Sequence, residues 1–253
     1  MSTISGCSDL EIDLADRRTG KVRVSYALPG HSRLFLTTDR LSAFDQIVAV
    51  VPFKGQVLNV LSAWWFENSR HIVKNHFISC PDPNATIGHA ATPLAVEVVV
   101  RGVITGTTST SLWHQYSSGA RKIYGYEFPD GLRKNTVLPH AIVTPTTKGE
   151  TGEHDEPLTC ADVISRGIVD RDVWNTVQHA ALALFAHGQE VAQKAGLLLA
   201  DTKFVFQTNE VFHIITNFNT NSVFFIPNDV PFSICFEKRK TMITLREQFF
   251  VSL

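Results

Sequence analysis

The chain has 253 residues with 23 Lys and Arg against 24 Asp and Glu, so its net charge of −1 provides no global field for nucleic acid or an anionic membrane surface. That length supports one large domain or two closely packed ones, and no apolar run approaches the ~18–20 residues of a membrane span. Cys7, Cys80, Cys160 and Cys235 lie far apart with no CxxC pair and no zinc-finger spacing, which reads as scattered reduced thiols. The opening MSTISGCSDLEIDLADRR is acidic and lacks the apolar stretch of a signal peptide, so the cytosol is the expected compartment.

In chain order, Arg33–Thr38 (RLFLTT) follows the turn signal Pro29-Gly30 and predicts a strand. Val57–Asn68 places Leu58, Leu61, Trp64 and Trp65 on one helical face. The Val-rich run Ala95–Val103 (AVEVVVRGV) predicts a strand buried on at least one face. Residues 106–160 are rich in Gly, Pro, Thr and charge with little periodicity, which suggests ligand loops draped over a scaffold. Arg171–Ala195 repeats apolar residues every three or four positions, with Asp170 or Asp172 to cap its start and Gly196 to stop it. Leu197–Phe206 then predicts a strand. The expected class is α+β with two lobes: an N-terminal antiparallel sheet lobe over 1–95 and a mixed α/β lobe over 96–206, followed by an atypical tail, 207–253.

Within the loop-rich stretch, VLPHAIVTPTTKGETGEHDEPL (Val137–Leu158) stands out. Hydroxyls at Thr144, Thr146 and Thr147 lead into Lys148 and then an acidic cluster of Glu150, Glu153, His154, Asp155 and Glu156. A segment this polar suggests a loop that meets a polar ligand, since loops carry chemistry more often than packing. TPTTKGETGEHDEP resembles the TPTTKAExGEHDEP signature of the SAICAR synthetase family. GKVRVSY, TTDRLSAFD, FKGQVLNVLSAWWF, VEVVVRGVITGTT, FPDGLRKN and LLLADTKF agree with that family in order, so that the resemblance covers roughly residues 18–206.

The resemblance implies a two-lobed fold with an ATP-grasp-like second lobe and an ATP- and Mg2+-dependent ligation. In that reaction the carboxylate of carboxyaminoimidazole ribotide (CAIR) is activated by phosphoryl transfer, and the L-aspartate amine displaces phosphate. It places Gly20, Lys21 and Arg23 in a phosphate-covering loop and Lys134 on the nucleotide phosphates; a solvated loop lysine is the structural alternative for Lys134. Arg101 and Thr107 fall on ribotide-binding positions, with a structural salt bridge as the alternative for Arg101, which would be costly to bury unpaired. Asp201 and Lys203, two apart on a strand and so on one face, match the family's DxK pair, with a plain ion pair as the alternative. Lys148, Glu150 and Asp155 are assigned to aspartate or to the rim of the site. No nucleic-acid or membrane partner is implied.

Two departures stand beside these matches. The family strand reads DTKxEFG with a Glu that helps hold magnesium, whereas this chain has Val205, which cannot ligate a hard cation. After Gly196 no glycine occurs, ten of the 17 Phe lie at or beyond Phe204, and the family's DEVxTPDSSRxW motif is missing. Translated non-coding sequence or a shifted frame would account for such a tail. The metal ligands are left unassigned, Glu210 being a candidate, and a catalytically impaired or truncated homologue retaining only ligand binding is the alternative function.

Overall fold

The computed structural model describes residues 14–43, 46–148, 156–208, 215–218 and 224–227. Two units divide the chain, with the boundary between Thr92 and Pro93. In the first unit, β1 (Arg18–Thr19), β2 (Arg23–Leu28), β3 (Ser32–Thr37), β4 (Arg40–Ala43) and β5 (Gln46–Val50) precede α1 (Lys54–Asn68), and β6 (Phe77–Asp82) and β7 (Ala85–His89) follow it. An antiparallel sheet of order β1-β2-β3-β7-β6 forms its frame, with β4 and β5 as a separate hairpin. Val24, Tyr26, Leu36 and Ala85 make one buried cluster there.

The helix expected over Val57–Asn68 begins three residues earlier, and its buried face differs from the expected one. Trp64 is 42% exposed, and the buried positions are Gly55, Leu58, Asn59, Ala63, Trp65 and Phe66. The polar Asn59 displaces Trp64 from that face because its carboxamide oxygen accepts from Thr37 Oγ1 at 3.2 Å and Thr86 Oγ1 at 2.9 Å. At Gly55 a Cβ would stand 2.6 Å from both the Thr37 carbonyl oxygen and Asn84 Nδ2, so only glycine lets the helix start that close to β3.

After β8 (Thr92–Pro93), the second unit carries β9 (Val96–Ile104), α2 (Leu112–Ser117), β10 (Lys122–Ile123), β11 (Tyr126–Glu127), β12 (Thr136–Thr147), α3 (Cys160–Ser165), α4 (Arg171–Lys194) and β13 (Leu197–Thr208). Two described pieces of the tail, β14 (Ile215–Phe218) and β15 (Phe224–Pro227), pair antiparallel with β13. The sheet runs β12-β9-β13-β14. Val98 and Val100 of β9 are fully buried on the face that α4 covers. A Cβ on Gly102 would meet the Phe185 ring of α4 at 3.1 Å, and one on Gly188 would meet Leu199 Cδ2 at 2.8 Å.

Helix α4 matches its expected span closely: Asp170 caps it by accepting from the Asp172 backbone N–H, and Gly196 follows with φ 71°. The reading of residues 106–160 as loops needs correction. TPTTK does not form a solvated loop but the end of the twelve-residue strand β12, where Val143, Thr144, Pro145 and Thr146 are buried. Its prolines misled the reading; β12 is an edge strand, where a residue without a backbone donor is tolerated. Leu112, Tyr116, Ile123, Tyr124 and Phe128 build a second core around Ile104 in the same stretch.

Candidate functional site

The chemistry-bearing side chains of the second unit gather on the sheet face turned away from α4. In an antiparallel sheet, directly opposed residues share a face. The register pairs Asp201 with Arg101, Lys203 with Val99, Thr144 with Val99 and Thr146 with Glu97. Glu97, Arg101, Thr144, Thr146, Asp201 and Lys203 therefore lie on one face. A bulge at Ala200 sets this phase: Leu199 pairs with Phe225 but Asp201 with Phe224, so β13 carries one extra residue. Leu199 packs toward α4 before the bulge, and Thr202, Phe204 and Phe206 after it, which leaves Asp201 and Lys203 opposite.

Arg101 is buried and held on several sides. Its Nε donates to Thr144 Oγ1 at 2.9 Å, Nη1 to Asp201 Oδ2 at 3.4 Å, and Nη2 to the Thr110 carbonyl at 3.3 Å. The Tyr124 hydroxyl donates to that same carbonyl at 2.8 Å, and its ring centroid lies 6.0 Å from the guanidinium carbon. Thr144 donates in turn to the Val99 carbonyl at 3.2 Å. Lys203 forms an ion pair with Glu97. The side chains of Arg101 and Asp201 are 10% and 13% exposed, whereas Lys203 retains 24%. The face thus offers a fixed guanidinium and a more open ammonium.

One loop meets Arg101 through the Thr110 carbonyl, and a second is tied to the end of β9 through Thr105. The first begins at Gly106 (φ 95°), runs through the exposed Thr107, and closes where Ser111 Oγ donates to the Thr108 carbonyl at 2.6 Å. The other carries half-buried Lys134 beside Asn135, which sits at φ 69°. Thr105 Oγ1 donates to Asn135 Oδ1 at 2.7 Å and ties the loops together. Lys148 is exposed at the end of β12, where its N–H donates to the Ala95 carbonyl. Glu150 and Asp155, like Glu153, His154 and Glu210, lie outside the described residues. Glu156 pairs with Arg166 at 3.1 Å.

In the first unit, Gly20 to Arg23 make a tight turn between β1 and β2, closed by the Gly20 N–H on the Arg23 carbonyl at 2.8 Å. Lys21 is exposed, while Arg23 is half-buried and its guanidinium pKa is lowered by desolvation. Arg40, absent from the residues picked out by sequence, braces this turn: Nη2 donates to the Gly20 carbonyl at 3.1 Å and Nε to Thr38 Oγ1 at 3.0 Å. Glu97 was missed as well. Its signal was a lone acid inside VEVVVR, a position a purely structural strand would fill with an apolar residue.

The described residues do not assemble a magnesium site. Glu97 and Asp201 each face a cation, half-buried Val205 stands in register with Asn217, and no cluster of three His, Cys, Asp or Glu suited to a metal ion occurs among the described residues.

Fold and site together define a two-unit α+β protein whose second unit presents a charged sheet face backed by one long helix. The chain belongs to the SAICAR synthetase family, whose profile matches residues 16–218 and so continues through β14. It is 47% identical over 199 residues to a phosphoribosylaminoimidazole-succinocarboxamide synthase of Legionella pneumophila, covering 79% of this chain and 63% of that relative. It is 48% identical over 193 residues to the chloroplastic enzyme of that name from Vigna aconitifolia, covering 76% and 56%. The chain thus spans less than two thirds of the length of these relatives. Among solved structures, the SAICAR-synthase of Saccharomyces cerevisiae complexed with SAICAR superimposes with a TM-score of 0.76 at 26% identity, over 96% of this chain and 88% of that one. A SAICAR synthetase in complex with ADP shares the fold, with a TM-score of 0.74 at 19% identity. No helix among the described residues is long and apolar enough to cross a membrane.

Proposed function

We propose that the chain is an ATP-dependent carbon–nitrogen ligase that joins L-aspartate to CAIR, forming SAICAR in purine biosynthesis. The observation that carries this reading is the convergence of Arg101, Asp201 and Lys203 on one sheet face in a chain of this family. The yeast relative holds SAICAR and another relative holds ADP, which supports a ribotide and an adenine nucleotide as ligands here.

In this reading Arg101 and Lys203 present cations to the anionic ribotide, with Arg101 fixed in advance by Thr144 and the Thr110 carbonyl. Such fixing lowers the ordering cost on binding and holds the reacting carboxylate in place. Asp201 orients Arg101, and Thr107 adds a hydroxyl from its exposed loop. The family resemblance assigns Gly20, Lys21, Arg23 and Lys134 to the nucleotide phosphates. Lys148, with Glu150 and Asp155, serves aspartate. The CAIR carboxylate oxygen takes the γ-phosphoryl group and ADP leaves; the aspartate amine then attacks the acyl phosphate and expels phosphate. No step is routed through magnesium, because the described donors do not fit it. Cytosolic residence belongs to the same reading.

A second reading, ligand binding without turnover, is favoured by Val205 on the face of Asp201 and Lys203. The test is ADP formation by the purified full chain with ATP, magnesium, CAIR and L-aspartate. Turnover of about one per second or more that depends on both CAIR and aspartate supports the ligase. Calorimetric CAIR binding without ADP formation supports the second reading, and neither binding nor turnover overturns both.

A further inference from the structure

Glu97 is an acid in the middle of an apolar strand, flanked by fully buried Val96 and Val98. Desolvating a carboxylate there is unfavourable unless a cation compensates it. The compensating cation is Lys203, which faces Val99 in the register and so reaches Glu97 along the diagonal of the β9–β13 ladder. Thr146, directly opposite Glu97 on β12, has a buried hydroxyl oxygen without a hydrogen-bond partner, so it does not hold Glu97 from the other side.

A strand staple would be redundant at this position. The backbone ladder and the directly opposed pair of Arg101 and Asp201 already join β9 to β13. The two pairs also differ in access, since Lys203 is the more open cation of the face and Glu97 the more enclosed partner. Lysine is a point charge on a flexible four-carbon stem with three donors, so one anchored N–H leaves the others to point at a ligand. We infer that Glu97 is a positioning residue for Lys203, fixing the ammonium on the ligand face so that its remaining donors meet an anionic group of the ribotide. This rests on the ribotide reading above.

Calorimetric titration with CAIR tests it on the wild-type chain, K203A, E97A, E97Q and the double variant E97A/K203A, with a thermal melt of each to establish folding. K203A is expected to bind CAIR about tenfold more weakly, E97A about fivefold more weakly, and the double variant no worse than K203A, because Glu97 acts only through Lys203. In E97Q the amide oxygen still accepts from the ammonium, so binding within about twofold of wild type is expected. E97Q is isosteric and carries the rescue test; if E97A does not fold, loss of CAIR affinity in E97Q equal to that of K203A overturns the inference. A folded E97A that binds like wild type, or losses that multiply in the double variant, also overturn it and leave the ribotide reading standing. A wild-type chain that binds no CAIR instead removes the ribotide reading, and the role of Glu97 with it.

Discussion

Removing the Asp201 carboxylate strands a guanidinium in the sheet. Arg101 keeps two neutral acceptors, Thr144 Oγ1 at 2.9 Å and the Thr110 carbonyl at 3.3 Å, but loses its anionic partner. Breaking a buried ion pair from one side typically costs about 3–5 kcal/mol. The pair here is long, at 3.4 Å, and the neutral acceptors remain, so Asp201→Ala is expected at the lower end, about 3 kcal/mol. For a domain of this size that corresponds to a fall of about 6–12 °C in Tm. Asp201→Asn retains a neutral acceptor and should cost about 1–2 kcal/mol. Replacing both members, R101M with D201L, removes the unpaired charge and should recover to within about 1 kcal/mol of wild type. Urea unfolding of the four proteins, read by far-UV circular dichroism, orders them. If Asp201→Ala unfolds at the wild-type midpoint, or the double replacement is no better than Asp201→Ala, the pair is not what holds Arg101.

Three further outcomes follow from local geometry. Gly106→Ala places a side chain at φ 95° with its Cβ 2.4 Å from Ser111 Cβ, so it should lose about 2 kcal/mol in the same unfolding assay and weaken the loop that carries Thr107. Asp162, whose Oδ2 accepts from the Thr159 hydroxyl at 2.7 Å and backbone N–H at 2.9 Å, has its pKa lowered below 3.8 by those bonds. A depressed carboxylate contributes stability that is present above 3.8 and lost as pH falls through the folded value, so Asp162→Asn should flatten the acid limb of a Tm-against-pH curve. Burial pushes the Tyr126 phenol up to about 12, so absorbance titration near 295 nm should find a phenol still protonated at about pH 11. Because its folded pKa is raised, that contribution is complete below 10 and lost as pH rises through about 12; Tyr126→Phe should remove the loss.

The regular elements were legible where a single periodicity ruled. Helix α4 showed its cap, its stripe and its stop in the sequence, and β9 its valine run. The failures have physical causes. Trp64 fits the apolar period of α1 yet is exposed, because Asn59 carries hydrogen bonds that no hydrophobic count registers. TPTTK reads as a loop by composition, but an edge strand accepts prolines and buries threonines whose hydroxyls have work: Thr144 bridges Arg101 and the Val99 carbonyl. Arg101, Asp201 and Lys203 could be grouped by motif alone. Their partners could not, since Glu97, Thr144, Thr110 and Tyr124 come from four separate stretches of chain, the first two placed by the sheet register and the last two by contacts from turns.

The segment LLLADTKFVF shows how much of the site lay one step beyond a simple pattern. A regular strand would put Leu197, Leu199, Asp201 and Lys203 on one face and Ala200, Thr202, Phe204 and Phe206 on the other. That pattern mixes leucine with charge on one side, a conflict no half-buried sheet tolerates at low cost. The apolar residues in fact change parity, from Leu197 and Leu199 to Phe204 and Phe206, all of them buried. One extra residue resolves the conflict, and Ala200, small and fully buried, is where the register places it. The parity change in the sequence is therefore the signature of the bulge. The bulge in turn turns Asp201 and Lys203 away from α4, toward Arg101 and Glu97. A chain without the extra residue would aim both charges into the helix-packed core and leave Arg101 and Glu97 without their ionic partners, so the charged face depends on that one insertion.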